Sequence, residues 1–164
     1  MRTIDTIVIH CSASPNGRWN TAPDIDRWHD ERGFERQPYW RERFNPDYKA
    51  IGYHFVIYTN GAIATGRHLD EIGAHAGGYN KHTVGVCLIG TDRFAIEQWQ
   101  ALDELIQKLR ERYPAAKVLG HRDIPDVHKE CPGFGVAEWL AADCKPPEAH
   151  ILELDEQAPA APGL

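Results

Sequence analysis

The chain has 164 residues, 42% of them hydrophobic and 26% charged, with a formal net charge of -6 and a pI near 5.8. That length suffices for one domain with its own core, and the acidic balance argues against a phosphate-tracking nucleic-acid binder, whose footprint would be basic. Four cysteines, at positions 11, 87, 131 and 144, lack the close paired spacing of a zinc ribbon or a disulfide framework, so reduced, cytoplasmic synthesis is expected.

In chain order, residues 4 to 10 are rich in Ile and Val and predict a core strand that delivers His10 at its C-terminal end. The apolar stretch within it, Ile7-Val8-Ile9, is too short and polar for a signal peptide, and no segment approaches the ~20 apolar residues of a membrane span. Thr21 is placed to cap a helix with Pro23 in its first turn, running through Ile25 and Trp28 to a stop at Gly33. Residues 34 to 50, crowded with Arg, aromatic residues and two prolines, read as an insertion loop over part of a cleft.

Tyr53 to Tyr58 alternates as a strand, Asn60-Gly61 predicts a two-residue hairpin turn, and Ala62 to Gly66 returns. Val84 to Ile89 is a continuous apolar run, expected as a central strand. From Ile96 to Tyr113 the residues Trp99, Leu102, Ile106, Leu109 and Tyr113 recur at helical spacing, and Pro114 ends the helix. Lys117 to Gly120 predicts a short strand presenting His121, and Val136 to Ala142 a last helix. The fold class is therefore α/β, a central mixed β-sheet flanked by helices over residues 1 to 144. Residues 145 to 164 form a Pro/Ala/Glu-rich tail.

Three segments far apart in the chain carry the chemistry: Thr6 to Ser12, Gly120 to Asp123 and Lys129 to Pro132. His10, His121 and Cys131 offer two imidazoles and one thiolate. Structural zinc sites are usually closed by four protein ligands, whereas hydrolytic sites use three and leave the fourth position to water. Strand alternation sends only one of His10 and Cys11 toward a cleft, and each of these residues taken alone is as easily a core or loop residue. Lys129 and Cys131, two apart in an extended segment, face the same side.

The ordered motifs HCSA (10 to 13), GYHF (52 to 55), AHAGGYN (74 to 80), VGVCLIG (84 to 90), GHRD (120 to 123) and KECPGF (129 to 134) resemble those of phage-type N-acetylmuramoyl-L-alanine amidases. Those enzymes share their fold with bacterial amidases and animal peptidoglycan recognition proteins. The resemblance spans residues 1 to 142 and implies one zinc ion on His10, His121 and Cys131, with Tyr53 and Lys129 as the catalytic pair. It also implies that His75 lines the substrate cleft.

The implied substrate is peptidoglycan or a muropeptide, cut between N-acetylmuramic acid and L-alanine. The expected context is a phage or prophage endolysin, monomeric, reaching the cell wall after the membrane is permeabilised. A cytosolic muropeptide-recycling amidase, or a non-catalytic peptidoglycan-binding or regulatory protein on the same fold, are the alternatives.

Overall fold

A computed structural model describes residues 1–153. Its centre is a five-stranded sheet of order β3-β2-β4-β1-β5, built from β1 (Thr6–Cys11), β2 (Phe55–Ile57), β3 (Ile63–Thr65), β4 (Thr83–Leu88) and β5 (Lys117–Gly120). β1 runs parallel to β4 and β5, and β4 parallel to β2. β3 is antiparallel to β2, so the sheet is mixed as predicted.

Alternation along the two central strands sorts their side chains. Ile7, Ile9 and Cys11 of β1, with Val84, Val86 and Leu88 of β4, join an apolar cluster under α3 (Ile96–Arg112) and α4 (Val136–Ala141), which adds Trp99, Leu102, Ile106 and Trp139. Thr6, Val8 and His10 of β1, with Thr83, Gly85 and Cys87 of β4, face the other way. There α1 (Ala22–Glu31) packs Ala22 and Ile25 against Val56, Cys87 and Ile89.

α1 begins where expected: the Asp24 carboxylate accepts the Thr21 backbone N–H at 2.8 Å, and Gly33, at φ 78°, follows its end. The strand predicted from Tyr53 starts two residues later, at Phe55, and the turn after it differs in type. Gly61 N–H donates to the Tyr58 carbonyl and Tyr58 N–H to the Ala62 carbonyl, with Gly61 alone at positive φ. This is a three-residue loop closed by a left-handed glycine, because Asn60 keeps an ordinary negative φ that a two-residue turn of the Asn-Gly kind would not permit.

Two further segments depart from expectation. Residues 34 to 50 contain a short helix, α2 (Pro38–Arg43), and are tied down by buried arginines. Arg36 pairs with Glu71 at 2.8 Å, both side chains fully buried, and donates to the carbonyls of Phe44 and Asn45. Arg67 spans Ile51, Ile72 and Phe34 carbonyls. Residues 145–153 pack against the body: Phe94 and Ile151 form a bridge, Leu152 is buried, and Trp99 Nε1–H donates to the His150 carbonyl. The rest of the expected tail lies outside the described residues.

Candidate functional site

β1 carries His10, one residue before its end, on the sheet face opposite the apolar cluster, and β5 leads into a 3-10 turn, His121–Asp123, that lifts His121 beside it. The turn is held by Asp123, whose carboxylate accepts the Gly120 N–H at 2.9 Å, so this acid shapes the turn. The segment carrying Cys131 is pinned by the Arg122 N–H on the Cys131 carbonyl, and its sulfur accepts the Cys11 N–H at 3.1 Å. The His10 and His121 rings lie 4.6 Å apart between centroids. One ligand atom from each of His10, His121 and Cys131 falls within 4.8 Å of the others.

His10 offers the metal a specific atom. Its Nε2 is 2.8 Å from His75 Nδ1, whereas its Nδ1 is 3.8 Å from the Cys131 sulfur. A tetrahedral zinc with ordinary Zn–N and Zn–S bonds needs a nitrogen and a sulfur ~3.5 Å apart, so the donor set and spacing fit that ion. Burial holds His10 well below the usual imidazole range, with the His121 charge adding to it, and burial then the Lys129 charge lower His121. Both therefore present neutral imidazoles. The neighbouring Cys11 thiol and burial push the Cys131 thiol up, so metal binding must displace its proton.

Around this triad opens a cavity of about 700 Å³. Tyr53 forms one wall, its ring 5.1 Å from that of His10. Burial raises its pKa well above the ordinary phenol value, which keeps the O–H a donor. Lys129 is exposed at the rim of the same cavity, and its charge reaches both histidines. All five residues expected at the metal and reaction centre thus line one space. Of residues 34 to 50, only Phe34 does, so the insertion does not roof the cleft.

His75 also lines the cavity, as expected of it. Its Nδ1 faces His10 and its Nε2 lies 3.2 Å from Thr83 Oγ1, so both ring nitrogens are engaged inside the protein. His54 points to the opposite side from Tyr53, accepting the Gly85 N–H on Nδ1 and donating from Nε2 to the Glu71 carbonyl.

The residue that sequence reasoning passed over is His29. Its Nδ1 accepts the Gly52 N–H at 2.8 Å, which leaves the proton on Nε2, and its ring sits 5.2 Å from Tyr53 on the cavity wall. The available signal was its position seven residues after Ala22 and four after Ile25, on the buried stripe of α1. Arg32 and Asn80 line the cavity as well, Asn80 with its carbonyl oxygen accepting the His75 and Ala76 N–H groups.

The chain is similar to known proteins over most of its length. The sequence profile of the N-acetylmuramoyl-L-alanine amidase family matches residues 1–134. The endolysin of Enterobacteria phage K11 is 33% identical over 140 residues, covering 80% of this chain and 82% of its own length. That of Escherichia phage T7 is 32% identical over 143 residues, covering 82% and 84%. Among solved structures, the N-acetylmuramoyl-L-alanine amidase LysC from Clostridium intestinale superposes with a TM-score of 0.69 at 27% identity, over 87% of this chain and 85% of that one. With its site residues in one cavity and a family match over most of its length, the chain belongs to the N-acetylmuramoyl-L-alanine amidase family and is an endolysin-like amidase.

Proposed function

We propose that the protein is a zinc-dependent endolysin whose His10, His121 and Cys131 hold one ion, and whose Tyr53 and Lys129 act on the amide between N-acetylmuramic acid and L-alanine of peptidoglycan. The observation that carries this reading is a three-ligand His-His-Cys group opening directly onto a cavity that also holds a phenol and an ammonium. A bound zinc supplies a Lewis acid and water activated at neutral pH.

The chain's own groups do the rest. The scissile carbonyl oxygen gains negative charge as the amide is attacked, and a donor aimed at that oxygen lowers the barrier. Tyr53 supplies, on the cavity wall, an O–H that burial keeps protonated and that can donate to a substrate oxygen. Lys129 supplies a cation at the rim, where the same developing charge faces solvent. Neutral His29, with its Nε2–H left by the Gly52 contact, adds a third donor on the Tyr53 side.

The reading places the enzyme's work at the cell wall, after synthesis in the cytoplasm and permeabilisation of the membrane. Among the described residues no helix is long and apolar enough to cross a membrane. Mass spectrometry of products released from purified peptidoglycan tests the reaction. The expected result is free stem peptides with a new N-terminal L-alanine, lost on chelation and restored by zinc. Sugar-sugar cleavage, or release that chelation leaves untouched, would overturn it.

A further inference from the structure

We propose that Thr83 and His75 are positioning residues that preset His10 as a metal ligand, through one directed hydrogen-bond chain running from the loop before β4 to the metal site. The inference rests on the reading of His10, His121 and Cys131 as zinc ligands, and concerns residues with no place in that set.

The direction of the chain follows from its far end. The Tyr79 carbonyl can only accept, and Thr83 Oγ1 lies 2.8 Å from it, so the single hydroxyl proton of Thr83 is spent there. Thr83 Oγ1 can then only accept from the His75 ring, at 3.2 Å, which puts the His75 proton on Nε2. His75 Nδ1 is left as a bare acceptor, 2.8 Å from His10 Nε2, and takes that nitrogen's proton. The lone pair of His10 is thereby confined to Nδ1, the nitrogen beside the Cys131 sulfur. A single threonine hydroxyl thus selects the tautomer of a ligand two side chains away. Partners of this kind orient a metal-bound imidazole and raise its basicity.

The sheet is shaped for the second member of the chain. A Cβ added at Gly85 would lie 2.7 Å from two atoms of the His75 ring, and one at Gly73 2.8 Å from the same ring. Gly85 sits between Thr83 and Cys87 on the face of β4 that His10 shares, so the missing side chain is the seat of the imidazole. A strand-interior glycine, costly for the strand itself, has a reason here in the close approach of a ring.

Competition with a chromophoric chelator on the full chain tests the proposal. Zinc affinity is expected to fall about 10- to 100-fold in Thr83→Val and in His75→Ala, and to return in Thr83→Ser, which restores only the hydroxyl. Gly85→Ala should weaken zinc in the same way by displacing His75. Affinity unchanged in Thr83→Val and His75→Ala would overturn the proposal. Wild-type protein that binds no zinc would overturn the metal reading, and this one with it. Should a variant fail to fold, nitrogen NMR of the wild type decides: the proton is expected on Nε2 of both His10 and His75, and a proton on His10 Nδ1 in the zinc-loaded protein would sink the chain.

Discussion

One face of the sheet is sealed by apolar side chains throughout, while the other joins an apolar patch under α1 to hydrogen-bonded imidazoles around the metal triad. Under α3 and α4, Ile7, Ile9, Val86 and Leu88 meet Trp99, Phe134 and Trp139, with ring pairs such as Trp99–Phe134 at 4.7 Å. Toward α1 the same strands present His10, Thr83 and Gly85, and the space over them is filled by His75, while His29 and Tyr53 stand alongside. Dispersion and hydrophobic burial tolerate any side chain of the right volume, whereas each imidazole needs a particular donor and acceptor. The first face therefore contributes stability without chemistry, and the second adds the chemistry beside its own apolar patch. Substitutions on the two faces should separate these properties.

The largest effect is expected at the metal triad. Cys131→Ala leaves two imidazoles where three ligands stood, so zinc and amidase activity should be lost together while the circular dichroism of the folded protein persists. Normal zinc content with full activity would remove Cys131 from the site. On the opposite face, Trp99→Ala empties a side chain that is 1% exposed, and should cost ~3–5 kcal/mol in urea unfolding. Activity per folded molecule should survive, and a loss of activity out of proportion to the folded fraction would show that the two faces are not separable.

Tyr53→Phe keeps the ring on the cavity wall and deletes only the hydroxyl. The amidase kcat should fall by about 10²-fold, with zinc retained and stability nearly unchanged. An unchanged kcat would take the hydroxyl out of the reaction.

The difference between the faces also explains what could be read from the sequence. Apolar periodicity located β1, β4 and α3 because burial on that side is encoded by residue class alone: Trp99, Leu102, Ile106 and Leu109 recur at helical spacing whatever their exact neighbours. His10, His121 and Cys131 were legible through the short ordered motifs around them. His29 was not, because its place depends on a contact with Gly52 across the chain, and no local pattern records that. Nor were the engaged nitrogens of His75, which depend on Thr83 and on the missing side chain of Gly85. The buried Arg36–Glu71 pair belongs to the same class. An arginine in a charged, aromatic-rich segment reads as solvated until its partner 35 residues on is known.

The C-terminal end sharpens the account of the hydrocarbon face. Ile151 packs against the layer under α3, and Leu152, 4% exposed, donates its N–H to the Phe94 carbonyl. Shortening the chain to residue 144 should cost ~2 kcal/mol of unfolding free energy, about one buried leucine, without changing zinc affinity. Comparison with a chain ending at residue 153 isolates this layer, and equal stability of the two would assign Leu152 no part in the core.

The last prediction concerns acid, which should act on the imidazole face alone. Burial lowers His29 to about 4, with the Arg32 charge adding to it, and His54 to about 3. Both are near 6.5 in an unfolded chain. Between these values the unfolded chain binds more protons than the folded one, so stability is whole above pH 6.5 and declines as pH falls toward 4 and 3. At pH 5.5 each histidine should cost roughly 1.2 kcal/mol relative to pH 7. Glutamine at position 54 has a carbonyl to accept the Gly85 N–H and an amide to donate to Glu71, yet no proton to bind. Urea unfolding of His54→Gln at pH 7.0 and 5.5 should therefore show a smaller loss than wild type, while Trp99→Ala should shift both curves equally. A wild-type slope retained in His54→Gln would mean that the buried imidazole is not what makes this face sensitive to acid.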